Sequence, residues 1–223
     1  MNNKKIVLFT VVMFAIIVAL VLVLNNKGKD EGQEKVSFIN IENQPTLGDE
    51  NASVSIVEFG DYKCPSCKAW GESVFPKLKE DYIDTGKAKL TYINVLFHGE
   101  ESLLAALASE SVYKQDPDSF WAFHKGIFDA QPSNQTHDDE WVTTDNLVEI
   151  AKAYAPNIDF DQFKKDIDEK GMLDEVKIDE QLVKKNDIQF TPTIIIDGVM
   201  LEKPFDYEAI KAQIEKGLDN KNE

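Results

Sequence analysis

Cys64 and Cys67 are the chain's two cysteines, and they stand close together as Cys64-Pro65-Ser66-Cys67. A disulfide across so short a loop restrains the unfolded chain by only about 2 kcal/mol, against about 5 for a 100-residue loop. A structural staple is therefore a poor account of the pair. A zinc site needs two further ligands, and His98, His124 and His137 have no HxxxH spacing to offer them. What remains is a redox dithiol.

The elements around the pair fit that chemistry. Val54 to Phe59 reads as a short β-branched strand, and the segment from Cys64 to about Asp84 reads as helical. Cys64 then begins a helix with Pro65 at its first position, where a missing N–H costs nothing and φ is already set. The amides of Ser66 and Cys67 should point at the Cys64 sulfur. Together with the helix dipole they favour a thiolate there, so Cys64 should ionise below the ~8.5 of a free thiol. Lys63 and Lys68 add nearby positive charge. Cys67, one turn on, is placed to attack a mixed disulfide at Cys64. Stabilising the reduced form makes the disulfide form more oxidising.

Pro76 should kink or break the helix. Gly86 ends it, and Lys89 to Phe97 forms a second strand that completes a βαβ unit. The next stretch changes character: Glu101–Gln115, Ser119–Ala130, Thr143–Ala155 and Asp159–Asn186 are helical by period. Asp118 or Ser119, and Thr143 or Thr144, are candidate N-caps. This block holds nine of the chain's 22 aromatics and no strand pattern, and Phe120, Trp121 and Phe123 read as its core. Thr193–Ile196 and Val199–Leu201 flank Asp197-Gly198, a hairpin signal, and Asp206–Leu218 is a closing amphipathic helix.

The N-terminus sets the expected compartment. Ile6 to Leu24 is apolar except for Thr10; as a helix it spans ~28 Å, close to the ~30 Å hydrocarbon core. No small-residue cleavage site follows it, so an uncleaved anchor is expected. Lys4 and Lys5 keep the N-terminal tip in the cytoplasm. The chain carries 24 basic and 40 acidic residues, net −16, and all of the basic residues are lysine. Such acidity disfavours binding to nucleic acid. The expected layout is residues 1–27 as cytoplasmic tip and anchor, and 28–50 as a linker, with a short strand over Val36-Ser37-Phe38-Ile39. Residues 51–97 and 187–223 are the two parts of an α/β fold, and 98–186 a helical insertion.

Phe59-Gly60-Asp61-Tyr62-Lys63-Cys64-Pro65-Ser66-Cys67 at a strand end, the helical insertion, and Thr191-Pro192-Thr193 before the closing hairpin together resemble the DsbA family of thiol:disulfide oxidoreductases, in particular its membrane-anchored Gram-positive forms. The resemblance covers about residues 45–220. It implies a thioredoxin fold with an inserted helical domain, Cys64 as nucleophile and Cys67 as resolving thiol. It also implies a cis Pro192 facing the dithiol, with the Thr191 backbone pairing to unfolded substrate. Ser66 stands where the best-known members carry histidine, so a hydroxyl replaces the charge linked there to strong oxidation.

Glu58 shares a strand face with Val54 and Ile56. Buried there, its pKa should rise and it could exchange a proton with Cys67; the family carries an acid at this position. The plainer alternative is a solvated strand-end carboxylate. Trp70 reads as packing or as part of a peptide-binding surface, and His98 as a loop residue without a catalytic role. Glu110 and Asp179 each lie on an apolar helical face, where an acid needs a partner. Lysine would serve, and so would a structural Ca²⁺ held between the two helices; no cofactor is needed for catalysis. The expected protein is a monomeric, single-pass membrane protein whose extracytoplasmic domain oxidises reduced exported proteins. A membrane partner of the DsbB type would reoxidise it. A reductase or isomerase of the same superfamily, and a non-enzymatic peptide-binding module, are the alternatives.

Overall fold

In the computed structural model, the described residues are 39–132 and 140–221, together with Met13, Phe14, Ile17 and Val36. The chain divides into two units, Met1–Glu34 and Lys35–Glu223. In the first, Met13, Phe14 and Ile17 are helical and exposed; the rest of the expected anchor over Ile6–Leu24 lies outside the described residues. Among the described residues no helix is long and apolar enough to cross a membrane.

In the second unit, β-branched and aromatic runs form a five-stranded sheet among the described residues. Its strands are β1 (Thr46–Leu47), β2 (Val54–Gly60), β3 (Ala88–Asn94), β4 (Thr193–Ile196) and β5 (Val199–Met200), in the order β1-β3-β2-β4-β5. β2 and β3 run parallel, with Glu58 opposite Tyr92, and β4 lies antiparallel to β2. The β4–β5 turn uses Asp197 and Gly198, both at positive φ (46° and 78°), the conformation an Asp-Gly hairpin needs.

Between β2 and β3 come α1 (Pro65–Ser73), α2 (Phe75–Leu78) and a π-helical turn at Lys79–Ile83. The break before Pro76 follows from its missing N–H and its ring. α3 (Glu100–Gln115), α4 (Phe120–Ala130), α5 (Thr144–Tyr154), α6 (Phe160–Asp168) and α7 (Leu173–Lys185) lie between β3 and β4, and α8 (Tyr207–Asn220) closes the chain. This is a thioredoxin fold with an inserted helical domain.

Alternation along β2 divides the core. Val54 and Ile56 pack with Trp70 of α1, with Val74 just after it and with Ile210 and Ile214 of α8, while Val57 and Phe59 pack with Leu182 of α7. Phe120 and Phe123 are buried in the helical layer beside Tyr62 and Cys67. Trp121 is half-buried, its ring 6.4 Å from that of Phe75 and within 11° of parallel.

Several sequence expectations are corrected. Asp159–Asn186 is two helices, because Lys170 takes φ 57° between them. α7, placed in the insertion, also covers a face of the sheet. Ser119 makes no side-chain cap and instead bonds Asp116 Oδ2 at 2.7 Å, whereas Thr143 caps α5 through the Asn146 amide. The segment 39–50, expected as linker, contributes buried Ile39 and Gln44 and the strand β1. Val36 and Ile39 are not in a strand, although the Val36 amide donates to Gly198 O at 2.9 Å; Ser37 and Phe38 lie outside the described residues.

Candidate active site

β2 ends at Gly60, where a Cβ would come within 2.5 Å of the Tyr92 ring, so only glycine admits this packing. The chain then turns through Asp61–Lys63. The Cys64 amide donates to Asp61 O at 2.9 Å, and Cys64 occupies the N-cap of α1 with Pro65 at the first helical position. Both cysteines are free thiols. Hydrogen bonding from the Cys67 thiol, joined by the Thr191 side chain and the amides of Cys67 and Ser66, lowers the Cys64 pKa from 9.0 to about 5 despite its burial. Burial first, and then Cys64, push the Cys67 thiol well above its ordinary value. The two cysteines are thus chemically divided at neutral pH: Cys64, 7% exposed, favours the thiolate, and Cys67, 1% exposed, keeps its proton.

The cis Thr191–Pro192 peptide precedes β4, and Thr191 O lies 3.5 Å from Cys64 Sγ. Glu58 faces the side of β2 that carries Val54 and Ile56. Burial, and secondarily the charge on Cys64, raise its pKa from 4.5 to about 8. Glu58 and Cys67 line an apolar cavity of about 500 Å³, with Trp70, Phe75, Trp121 and His124 also among its walls. Trp70 is core, with its indole N–H donating to Pro204 O at 2.9 Å. Burial lowers the His124 pKa to about 3, so the imidazole is neutral, and its Nδ1 lies 3.0 Å from Tyr62 Oη.

The sequence reading missed a polar cluster behind the active-site turn. Asp61 is fully buried. Its Oδ1 accepts from the Lys63 amide at 2.9 Å, and its Oδ2 accepts from the Phe97 amide at 3.0 Å and Ser102 Oγ at 2.9 Å and lies 2.7 Å from His98 Nδ1. The Asp61 amide itself donates to Cys67 Sγ at 3.4 Å. Lys63, expected to lend charge to Cys64, is ion-paired with Glu101, and Lys68 Nζ donates to Gln131 O at 3.0 Å. Gln131 Nε2 in turn donates to Tyr62 O at 2.6 Å. These partners lie far along the chain, and a single sequence offers no local sign of them beyond Asp61 closing a strand.

Glu110 and Asp179 do come together, away from the thiols. Asn94 Nδ2 donates to Glu110 Oε1 at 2.9 Å and to Asp179 Oδ2 at 2.8 Å, and Gln44 Nε2 donates to Asp179 Oδ1 at 2.9 Å. Burial raises the Glu110 pKa to about 8, helped by Asp179, and the Asp179 pKa to about 7. Gln44 Oε1 is buried without a hydrogen-bond partner. Oxygen donors with two acids and an orphaned carbonyl suit a hard cation such as Ca²⁺. Among the described residues no group of three or more His, Cys, Asp or Glu side chains converges.

A family model described as Thioredoxin matches residues 40–216. Disulfide bond formation protein D of Bacillus subtilis is 44% identical over 198 residues, covering 88% of this chain and 87% of that protein. A probable disulfide bond formation protein D of Bacillus anthracis is 38% identical, covering 95% and 94%. The crystal structure of oxidised BdbD from Bacillus subtilis superposes with a TM-score of 0.78 at 44% identity, over 84% of this chain and 97% of that one. Chlamydia trachomatis DsbA superposes with a TM-score of 0.67 at 25% identity, over 81% and 93%. With the fold, the divided thiol pair and these relatives in agreement, the chain belongs to the thioredoxin family as a DsbA-like thiol:disulfide oxidoreductase.

Proposed function

We propose that this protein is an extracytoplasmic oxidase that introduces disulfides into exported proteins through Cys64 and Cys67. The observation that carries this reading is Cys64 at the N-cap of α1, with the Cys67 thiol and the Ser66 and Cys67 amides directed at its sulfur, an arrangement that lowers its pKa to about 5. A substrate thiolate attacks the Cys64 sulfur of the Cys64–Cys67 disulfide. The S–S bond breaks, its electron pair leaves on Cys67, and a mixed disulfide forms at Cys64. Glu58, protonated below about pH 8, gives Cys67 its proton. A second substrate thiolate attacks the substrate sulfur of the mixed disulfide and expels Cys64 as a thiolate. A thiolate of low pKa is a good leaving group, so release is favoured. The substrate has been oxidised by two electrons and the pair reduced by two. Thr191 beside the cis Pro192 would pair with the substrate backbone.

An anchor over Ile6–Leu24 would hold the domain at the outer membrane surface as a monomer, within reach of a DsbB-type membrane reoxidant. The apolar sequence of that segment and its two preceding lysines support this part of the reading.

Disulfide-form protein should oxidise a reduced two-cysteine polypeptide, one substrate disulfide appearing per pair reduced. Cys67→Ser, loaded with glutathione at Cys64, should exchange into a lasting mixed disulfide with a single-cysteine variant of that polypeptide, and Cys64→Ser should not. Peptide binding without any thiol exchange would make the protein a binding module instead.

A second proposal concerns Glu110 and Asp179. The orphaned Oε1 of Gln44, whose Nε2 donates to Asp179, supports a structural Ca²⁺ held by Gln44, Glu110 and Asp179. Added Ca²⁺ should raise the melting temperature of the wild type, a chelator should reverse the rise, and Asp179→Asn should abolish it. Equal melting with and without Ca²⁺ would leave Asn94 as the acids' sole bridge.

A further inference from the structure

Ser66 puts no charge beside Cys64, and the Lys63 ammonium is paired with Glu101. A buried carboxylate, meanwhile, sits within the nucleophile's own turn. Asp61 O accepts the Cys64 amide, the Asp61 amide donates to Cys67 Sγ, and the Asp61 side chain holds the Lys63 amide. A bare anion at that place would oppose a thiolate at Cys64. The group against it is His98, 13% exposed, with Nδ1 2.7 Å from Asp61 Oδ2. Its backbone amide also faces that oxygen, at 3.3 Å.

We propose that His98 tunes the redox pair: as an imidazolium it cancels the Asp61 charge, so that the Cys64 thiolate faces a neutral pair rather than an anion. His98 touches neither substrate nor the reacting sulfurs in this role; it acts through Asp61 as a positioning residue. The inference rests on the proposed role of Cys64 and adds to it a pH-dependent oxidising strength.

Among the described residues, the groups facing His98 include some from three parts of the fold. Asp61 is in the loop after β2. Lys63 and Cys64 lead into α1. Ser102 on α3 is neutral and donates to the same Asp61 oxygen, and its neighbour Glu101 is committed to Lys63. The Asp61 hydrogen bond, followed by the Asp61 and Cys64 charges, raises the His98 pKa above 6.5, against burial and Lys63. A raised histidine pKa keeps the cation present at low pH and loses it as pH climbs through the folded value. The oxidising advantage should therefore be greatest on the acid side of that transition and fade above it.

The test is the equilibrium between full-length protein and glutathione, in which disulfide-form protein and two glutathione thiols give reduced protein and glutathione disulfide. It is run at pH 6 and pH 9 on the wild type, His98→Asn and His98→Lys, with the Cys64 thiolate titrated at 240 nm. At pH 6 the asparagine variant should lose about fivefold in the equilibrium constant, and its Cys64 should ionise at higher pH than in the wild type. At pH 9 it should match the wild type. The lysine variant, charged at both pH values, should hold the stronger equilibrium at pH 9. Identical behaviour of the wild type and His98→Asn overturns the proposal, as does His98→Lys falling with His98→Asn, since geometry rather than charge would then be at issue. An unshifted Cys64 thiol in the wild type would instead remove the oxidase reading itself, so the two failures are told apart.

Discussion

Cys64 and Cys67 are chemically alike in sequence and opposite in the fold, because one caps a helix and the other is buried behind it. The Cys64 half of that division was legible from the residues, since Pro65 after a strand end implies a helix start and a helix start implies amide donors; the burial that raises Cys67 was not. Glu58 was legible too, since a period of two places it on the face of Val54 and Ile56. Asp61 and His98 were not, because their contact joins two loops that only the parallel pairing of β2 and β3 brings together. Glu58 gives a residue-scale prediction. The folded protein keeps a proton on this acid up to about pH 8 that the unfolded chain releases near 4.5, so Glu58 makes stability fall as pH rises through that window. At about 1.4 kcal/mol per pKa unit the loss is at most about 5 kcal/mol. Glu58→Gln should flatten this slope in denaturant melts at pH 5 and pH 9. It should also slow reduction of the pair by thiols roughly 10²-fold below pH 8, as expected on removing a general acid. A rate unchanged below pH 8 would take Glu58 out of the proton transfer.

Among the elements, periodicity located the strands and helices, while their interruptions depended on packing. Pro76 announced its break, but the turn at Lys170 carries no proline, and its only signal is the following Gly171. The two candidate caps show the same limit. Ser119 and Thr143 both precede apolar helical runs, yet only Thr143 takes extended dihedrals (φ −127°, ψ 156°) and accepts the Asn146 amide, whereas Ser119 sits at the end of a short 3₁₀ turn. Thr143→Ala should therefore cost about 1 kcal/mol, as typical N-cap losses do. Ser119→Ala should cost less than about 0.5, as for ordinary surface changes. Comparable losses in urea melts would contradict the assignment of the cap.

Across the molecule, the active-site turn is held from both sides of the chain's long excursion: Gln131 and Ser102 reach it from the helical insertion, and Thr191 from the return to the sheet. The insertion was visible in sequence as a succession of helical periods without a strand pattern, but its role as a brace was not, because that depends on where its ends return. Residues 39–50 were hidden for a related reason. Their polar composition reads as linker, although Gln44 and β1 are bound into the fold by partners on α7 and β3. The hydrogen bonds that Cys67, Thr191 and the Ser66 and Cys67 amides direct at Cys64 favour a reduced state with Cys64 ionised and Cys67 protonated, so the whole protein should be a net oxidant. The most direct test is the melting temperature of the disulfide form against the dithiol form at pH 7. The dithiol form should melt higher, because forming the disulfide gives up the stabilised thiolate. A disulfide form that melts higher would contradict this account and make the protein a reductase.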